Sequence, residues 1–115
     1  MNLRLSGTEV RVRVDRQEAE ALARGEALEQ EIAFPGNAVF QYRVEPSADR
    51  IEPAASLNGT MLAIRVSSGA VRDLLAARPS KDAGLSAPLP TGPGRVLQLK
   101  VEIDLFSEGK GPRRK

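Results

Sequence analysis

The chain contains no histidine, no cysteine and no tryptophan among its 115 residues. Without cysteine there is no disulfide frame, thiolate nucleophile or zinc knuckle. Without histidine, the commonest general base, metal ligand and pH switch are all missing. Catalysis would fall to Asp, Glu, Lys, Tyr or Ser. Aromatic residues are scarce at 3%: Phe34, Phe40, Tyr42 and Phe106. The core must therefore be aliphatic. There is also no long apolar run, so neither a signal peptide nor a membrane span is expected, and a cytoplasmic location is the default.

What is present suffices for one domain with a modest core, at 41% hydrophobic and 28% charged. The net charge of +2 is uneven. Residues 107–115, "SEGKGPRRK", hold four of the 17 basic residues and one of the 15 acidic ones, which leaves 13 against 14 in the body. The basicity thus belongs to a tail expected to be disordered, and residues 1–106 read as one compact domain.

Within that domain one unit reads as written twice. At a shift of 52, "SGTEVRVRV" falls on "NGTMLAIRV", and Ala19, Leu22 and Ala23 fall on Val71, Leu74 and Leu75. At a shift of 57, "VFQYRVE" (39–45) falls on "VLQLKVE" (96–102), the second copy having a longer loop, "PTGPGR". The repeats are expected at 3–45 and 55–105.

Each copy reads ββαββ. A short strand turns into a clean alternation in which Val10, Val12 and Val14 face one side and Glu9, Arg11 and Arg13 the other. Leu62, Ile64 and Val66 repeat this after a turn at Asn58-Gly59, which favours positive φ at both central positions. Asp15, with Glu18 three residues on, is a capping box for the first helix, and Gly25 is its stop. Ser67 or Ser68 caps the second, which Pro79 terminates. Each copy closes with a second hairpin whose inward residues are Phe40, Tyr42 and Val44, or Leu97, Leu99, Val101, Ile103 and Leu105. Pro88 cannot donate to a ladder, so its strand belongs at an edge or bulge. The expected fold is α+β: about eight short antiparallel strands in a pseudo-two-fold barrel or sandwich, with two short helices closing its open ends.

Three stretches, "LRLSGTEVRVRVDRQEAEALARGEALEQEIAFPG", "KDAGLSA" and "RVLQLKVEID", resemble a family of small bacterial proteins of unknown function. Typical members end the last strand with Lys, Asp, Phe and a nearby Cys; here the positions read Ile103, Asp104, Leu105 and Ser107, so any role for that thiol is lost. The resemblance implies no activity. The ββαββ unit is also similar in architecture to the swapped-hairpin subunits of bacterial transition-state regulators and antitoxins, which bind DNA as dimers. The Gly-Arg and the strand-ending Pro of that pattern are missing, and fold analogy does not carry function.

Candidate chemistry is thin. Glu102 and Asp104 lie two apart on one strand face, where they could hold a cation or act as an acid/base pair; a solvated face paired with Arg or Lys across the ladder explains them better. Arg4, Arg11, Arg13 and Arg65, with Lys110, Arg113, Arg114 and Lys115 of the tail, could contact an anion or nucleic acid. Base-stacking aromatics between them are absent, and pairing with Glu9, Glu45 or Glu102 is the simpler account. "TGPGR" lacks the Lys-Ser/Thr of a phosphate loop and is a turn; Asn58-Gly59-Thr60 is a turn rather than a glycosylation site. No cofactor or metal is implied. The expected role is a non-enzymatic interaction or accessory domain that binds a protein or small ligand, with a nucleic-acid-binding regulator as the alternative.

Overall fold

The computed structural model describes residues 1–77 and 83–105. Pro79, Phe106 and the basic tail, with Lys110, Arg113, Arg114 and Lys115, lie outside the described residues. The chain runs β1 (Asn2–Leu5), β2 (Glu9–Asp15), α1 (Arg16–Ala23), β3 (Leu28–Phe34), β4 (Ala38–Ser47), β5 (Ala54–Asn58), β6 (Met61–Ser67), α2 (Ser68–Ala76), β7 (Gly84–Gly92) and β8 (Arg95–Asp104).

The ββαββ order is as read, but the strands do not close into a barrel. They form two four-stranded sheets, ordered β1-β2-β8-β7 and β3-β4-β6-β5. Each sheet joins the first hairpin of one half to the second hairpin of the other. The sheets are mixed rather than antiparallel throughout, because β2 runs parallel to β8 and β4 parallel to β6. Period-two alternation sets which face of a strand is buried but not which strand lies beside it, so the parallel seams left no trace in the pattern. Closure would require the free edges of the two sheets to hydrogen-bond to each other. Instead β5 lies against β7 without a ladder, and a groove separates β1 from β3 and β4.

The registers repeat between the halves. A shift of 52 carries Leu3↔Val12 onto Ala55↔Ile64, and a shift of 57 carries Leu28↔Val44 onto Leu85↔Val101. Across the parallel seams, Glu9↔Gln98 becomes Met61↔Gln41 under the same two shifts. This pattern suggests duplication.

One apolar cluster draws on both sheets and both helices: Val10, Val12, Val14, Tyr42, Val44, Leu62, Ile64, Val66, Leu99, Val101 and Ile103, with Ala19, Leu22 and Val71. The helices stand at the C-terminal ends of β2 and β6, and they pack on one another instead of closing separate ends. Asp15 caps α1 by accepting from the Glu18 N–H at 2.8 Å while Glu18 Oε1 accepts from the Asp15 N–H at 3.0 Å, and Gly25 follows its end at φ +91°. Ser67 caps α2. Neither helix would persist alone at eight or nine residues.

At the opposite end of the central strands lie the hairpin turns. The β5–β6 turn is Gly59-Thr60, with Asn58 still paired to Met61 and only Gly59 at positive φ. Glycine at the first central position is the mark of a type II′ turn, so the expected pair of left-handed residues at Asn58-Gly59 is not formed. Pro88 lies on β7, an edge strand as expected. Gln98 N–H donates to Thr8 O and Ile103 N–H to Ala83 O, which turns the main chain of the odd-numbered residues of β8 toward β7. Pro88, opposite Gln98, and Pro90, opposite Val96, therefore face away from β8, where a missing N–H breaks no ladder bond. Among the described residues no helix is long and apolar enough to cross a membrane.

Candidate functional site

The arginines do not form an open row. Arg4, Arg11 and Arg13 share the outer face of the first sheet around a shallow cleft completed by Asn2 and Glu102. Arg65 lies on the other sheet, beside Glu45 and Ala54. Arg11 donates to both Glu9 oxygens at 3.1 and 3.3 Å, and its Nε lies 3.6 Å from Glu102. Glu9 also meets Lys100 Nζ at 3.1 Å, and Arg13 meets Asp104 at 3.4 Å. The hydrogen bonds from Arg11, then from Lys100, hold the Glu9 carboxyl below the usual carboxylate range. On the second sheet Arg43 pairs with Glu45 at 3.0 Å.

This is a lattice of alternating charges across parallel strands. The partners follow from the register, since Arg11 stands beside Lys100 and Arg13 beside Glu102, with the acids one step along the same face. Glu102 and Asp104 are thereby committed to Arg11 and Arg13. Among the described residues no group of three or more acidic side chains could hold a metal ion. Arg4 and Arg65 have no charge partner among the described residues.

A second feature, which the charge pattern does not announce, is an apolar groove of about 630 Å³ at the turn end of the sheets. One wall is β1, with Leu3 and Leu5. The other is the β3–β4 hairpin, with Ile32, Phe34, Ala38 and Phe40; Tyr42 and Thr60 complete it. The register explains the wall. Ile32 lies opposite Phe40 and Phe34 opposite Ala38, so all four point the same way as the buried Val44, toward the core. Beyond the reach of β1, nothing among the described residues covers that face of the hairpin. Phe34 is 53% exposed, Leu5 55% and Ile32 39%. At the inner end Tyr42 is buried and its hydroxyl donates to Gln30 Oε1 at 3.0 Å. Burial, and then the nearby Glu18 charge, push the Tyr42 phenol above its ordinary value.

The aromatic residues mark this site. Of three Phe and one Tyr in the chain, Phe34, Phe40 and Tyr42 line the groove. The alternation that places Phe40 and Tyr42 inward holds, with Tyr42 in the core and Phe40 packed against it, but it does not show that the hairpin outruns its cover. The available signal was the contrast between copies: a shift of 57 replaces Phe34, Phe40 and Tyr42 with Thr91, Leu97 and Leu99.

A model of a family of unknown function, DUF7009, matches residues 1–107. Searches of curated proteins and of solved structures found no match.

Proposed function

The chain belongs to this family of unknown function, so its role must be read from its own surface, and we propose a non-enzymatic interaction domain that takes an apolar ligand or partner segment into the groove between β1 and the β3–β4 hairpin. The observation that carries this reading is the gathering of Phe34, Phe40 and Tyr42 around an open apolar groove in a chain with almost no other aromatic residue. Aromatic side chains contribute large contact areas at low entropic cost, which is why they mark binding surfaces. The groove volume falls in the range typical of ligand pockets, about 300–1,000 Å³. A nucleic-acid reading has less support, because Arg11 and Arg13 already face carboxylates and Arg65 stands on the other sheet.

The site carries its own reporter. Tyr42 is the single tyrosine and there is no tryptophan, so near-ultraviolet emission arises at the groove. Titration with octanol should change that emission saturably. Phe34→Glu, at an exposed position, should abolish the change while leaving far-ultraviolet circular dichroism intact. Emission that octanol leaves unmoved would remove the groove as the binding site.

A further inference from the structure

The four sheet edges differ in how they are protected. An unpaired edge invites another strand, and proteins blunt such edges with proline, charge or cover. On β7 the outward positions include Pro88 and Pro90. Edge strand β5 lies against β7. On β3, Gln41 N–H bonds to Thr60 O across the parallel seam, which leaves Phe40 and Tyr42 to bond Ile32 and Gln30, so Glu29 and Glu31 stand at the outward positions. These three edges are guarded.

The β1 edge is not. Ser6 N–H donates to Glu9 O at 3.0 Å. In an antiparallel pair the bonded positions alternate, so Arg4 and Asn2 also turn their main chains toward β2. Leu3 and Leu5 therefore turn both N–H and C=O outward, along a margin that no described strand pairs. Their side chains line the groove. Edge and groove thus present main-chain hydrogen bonding and apolar side-chain pockets together, the two requirements of strand addition.

The charge beside this edge selects a partner. Arg4 is exposed, stands opposite Arg11, and has no counter-charge among the described residues. A second copy pairing antiparallel through its own β1, with Leu3 opposite Leu5, would bring Arg4 against Arg4.

We propose, on the reading that the groove is the binding site, that β1 receives an extended segment of a partner protein as a fifth strand, with apolar side chains in the groove and alternating acidic side chains beside Arg4.

The test uses the full chain and two capped hexapeptides, one alternating Val and Glu, the other Val and Lys. Amide hydrogen exchange at Leu3 and Leu5 is followed by NMR, with Tyr42 emission read in parallel. The Val-Glu peptide should slow exchange at both amides at least tenfold and bind about tenfold more tightly than the Val-Lys peptide, with Arg4→Glu reversing that order. Leu5→Pro removes one outward N–H, as Pro88 and Pro90 do on β7, and should weaken binding about fivefold, the worth of one net hydrogen bond; Leu5→Val should not. If peptide shifts Tyr42 emission without slowing Leu3 and Leu5, strand addition is overturned and the groove reading stands. If neither octanol nor peptide moves Tyr42, both fail. Slowing that needs no peptide and grows with protein concentration overturns the proposal in favour of a second copy.

Discussion

Leu22 and Leu74 occupy the same position in the two halves, in the middle of an apolar stripe on a short helix. If the copies were energetically equivalent, truncating either to alanine would cost the same. Their surroundings differ. Leu22 is fully buried, whereas Leu74 is only half-buried at the margin of the core. The reason lies in the packing of the helices. α1 touches β2, β3, β4 and β8 as well as α2, while the main neighbours of α2 are α1 and β6. Removing a fully buried leucine side chain costs about 3–5 kcal/mol, part transfer and part cavity. At a half-buried site that water can reach, about 1–1.5 kcal/mol is expected from the smaller area and the absence of a closed cavity. The gain in helix propensity from alanine is the same for both and cancels. For a domain of about 100 residues each kcal/mol moves the midpoint by about 4–8 °C, so Leu22→Ala should lower Tm by roughly 15 °C or more and Leu74→Ala by less than half of that. Urea unfolding followed by circular dichroism, with the slope checked for constancy, gives the same comparison at one temperature. Equal losses would refute the assignment of the deeper core to α1.

Two further perturbations test other links. A methyl group added at Gly84 would lie 2.7 Å from Val101 O and 3.3 Å from Glu102 Cα, both backbone atoms of the adjoining strand; Gly84→Ala should cost about 1–3 kcal/mol in urea unfolding, while Gly92→Ala, with nothing nearby and no positive φ, should be neutral or slightly stabilising. Tyr42 should titrate above the ordinary tyrosine value of about 10, read as phenolate absorbance without interference because it is the sole tyrosine. Since folding raises this pKa, the folded state holds its proton longer: the contribution is fully present below the unfolded value and is lost as pH rises through the folded one. A midpoint at or below the free-tyrosine value would contradict the burial of Tyr42.

Elements and faces were legible because they depend on local chemistry. The capping box at Asp15 and Glu18, the stop at Gly25, the Ser67 cap and the alternations from Val10 and from Leu62 each announce themselves within a few residues. The edge position of the strand carrying Pro88 followed from a single missing donor. The parallel pairing of β2 with β8 brings together residues about ninety apart, Glu9 with Gln98 for example, and no local signal records it. The charges illustrate the same divide. That Arg11 and Glu102 lie on solvent faces follows from alternation, but their meeting follows from the seam. The groove was hidden for a third reason. Ile32 and Phe34 carry the pattern of core residues, and only the relative lengths of β1 and the β3–β4 hairpin leave them exposed.

The two halves also differ where packing alone would predict likeness. In the second half the mouth between sheets is occupied by contact between β5 and β7, and the positions matching Ile32, Phe34, Phe40 and Tyr42 hold Leu89, Thr91, Leu97 and Leu99. In the first half the mouth stays open although its side chains are larger. Bulk added for packing should close a gap, yet Phe34 remains half-exposed at 53% beside it. An exposed phenylalanine brings no full burial energy to the free protein and adds an aggregation liability. Its position is therefore better explained by what it meets when the groove is filled than by the stability of the empty fold. The same reasoning applies to the adjoining edge: β7 keeps its prolines where strand addition would occur, and β1, facing the aromatic groove, has none.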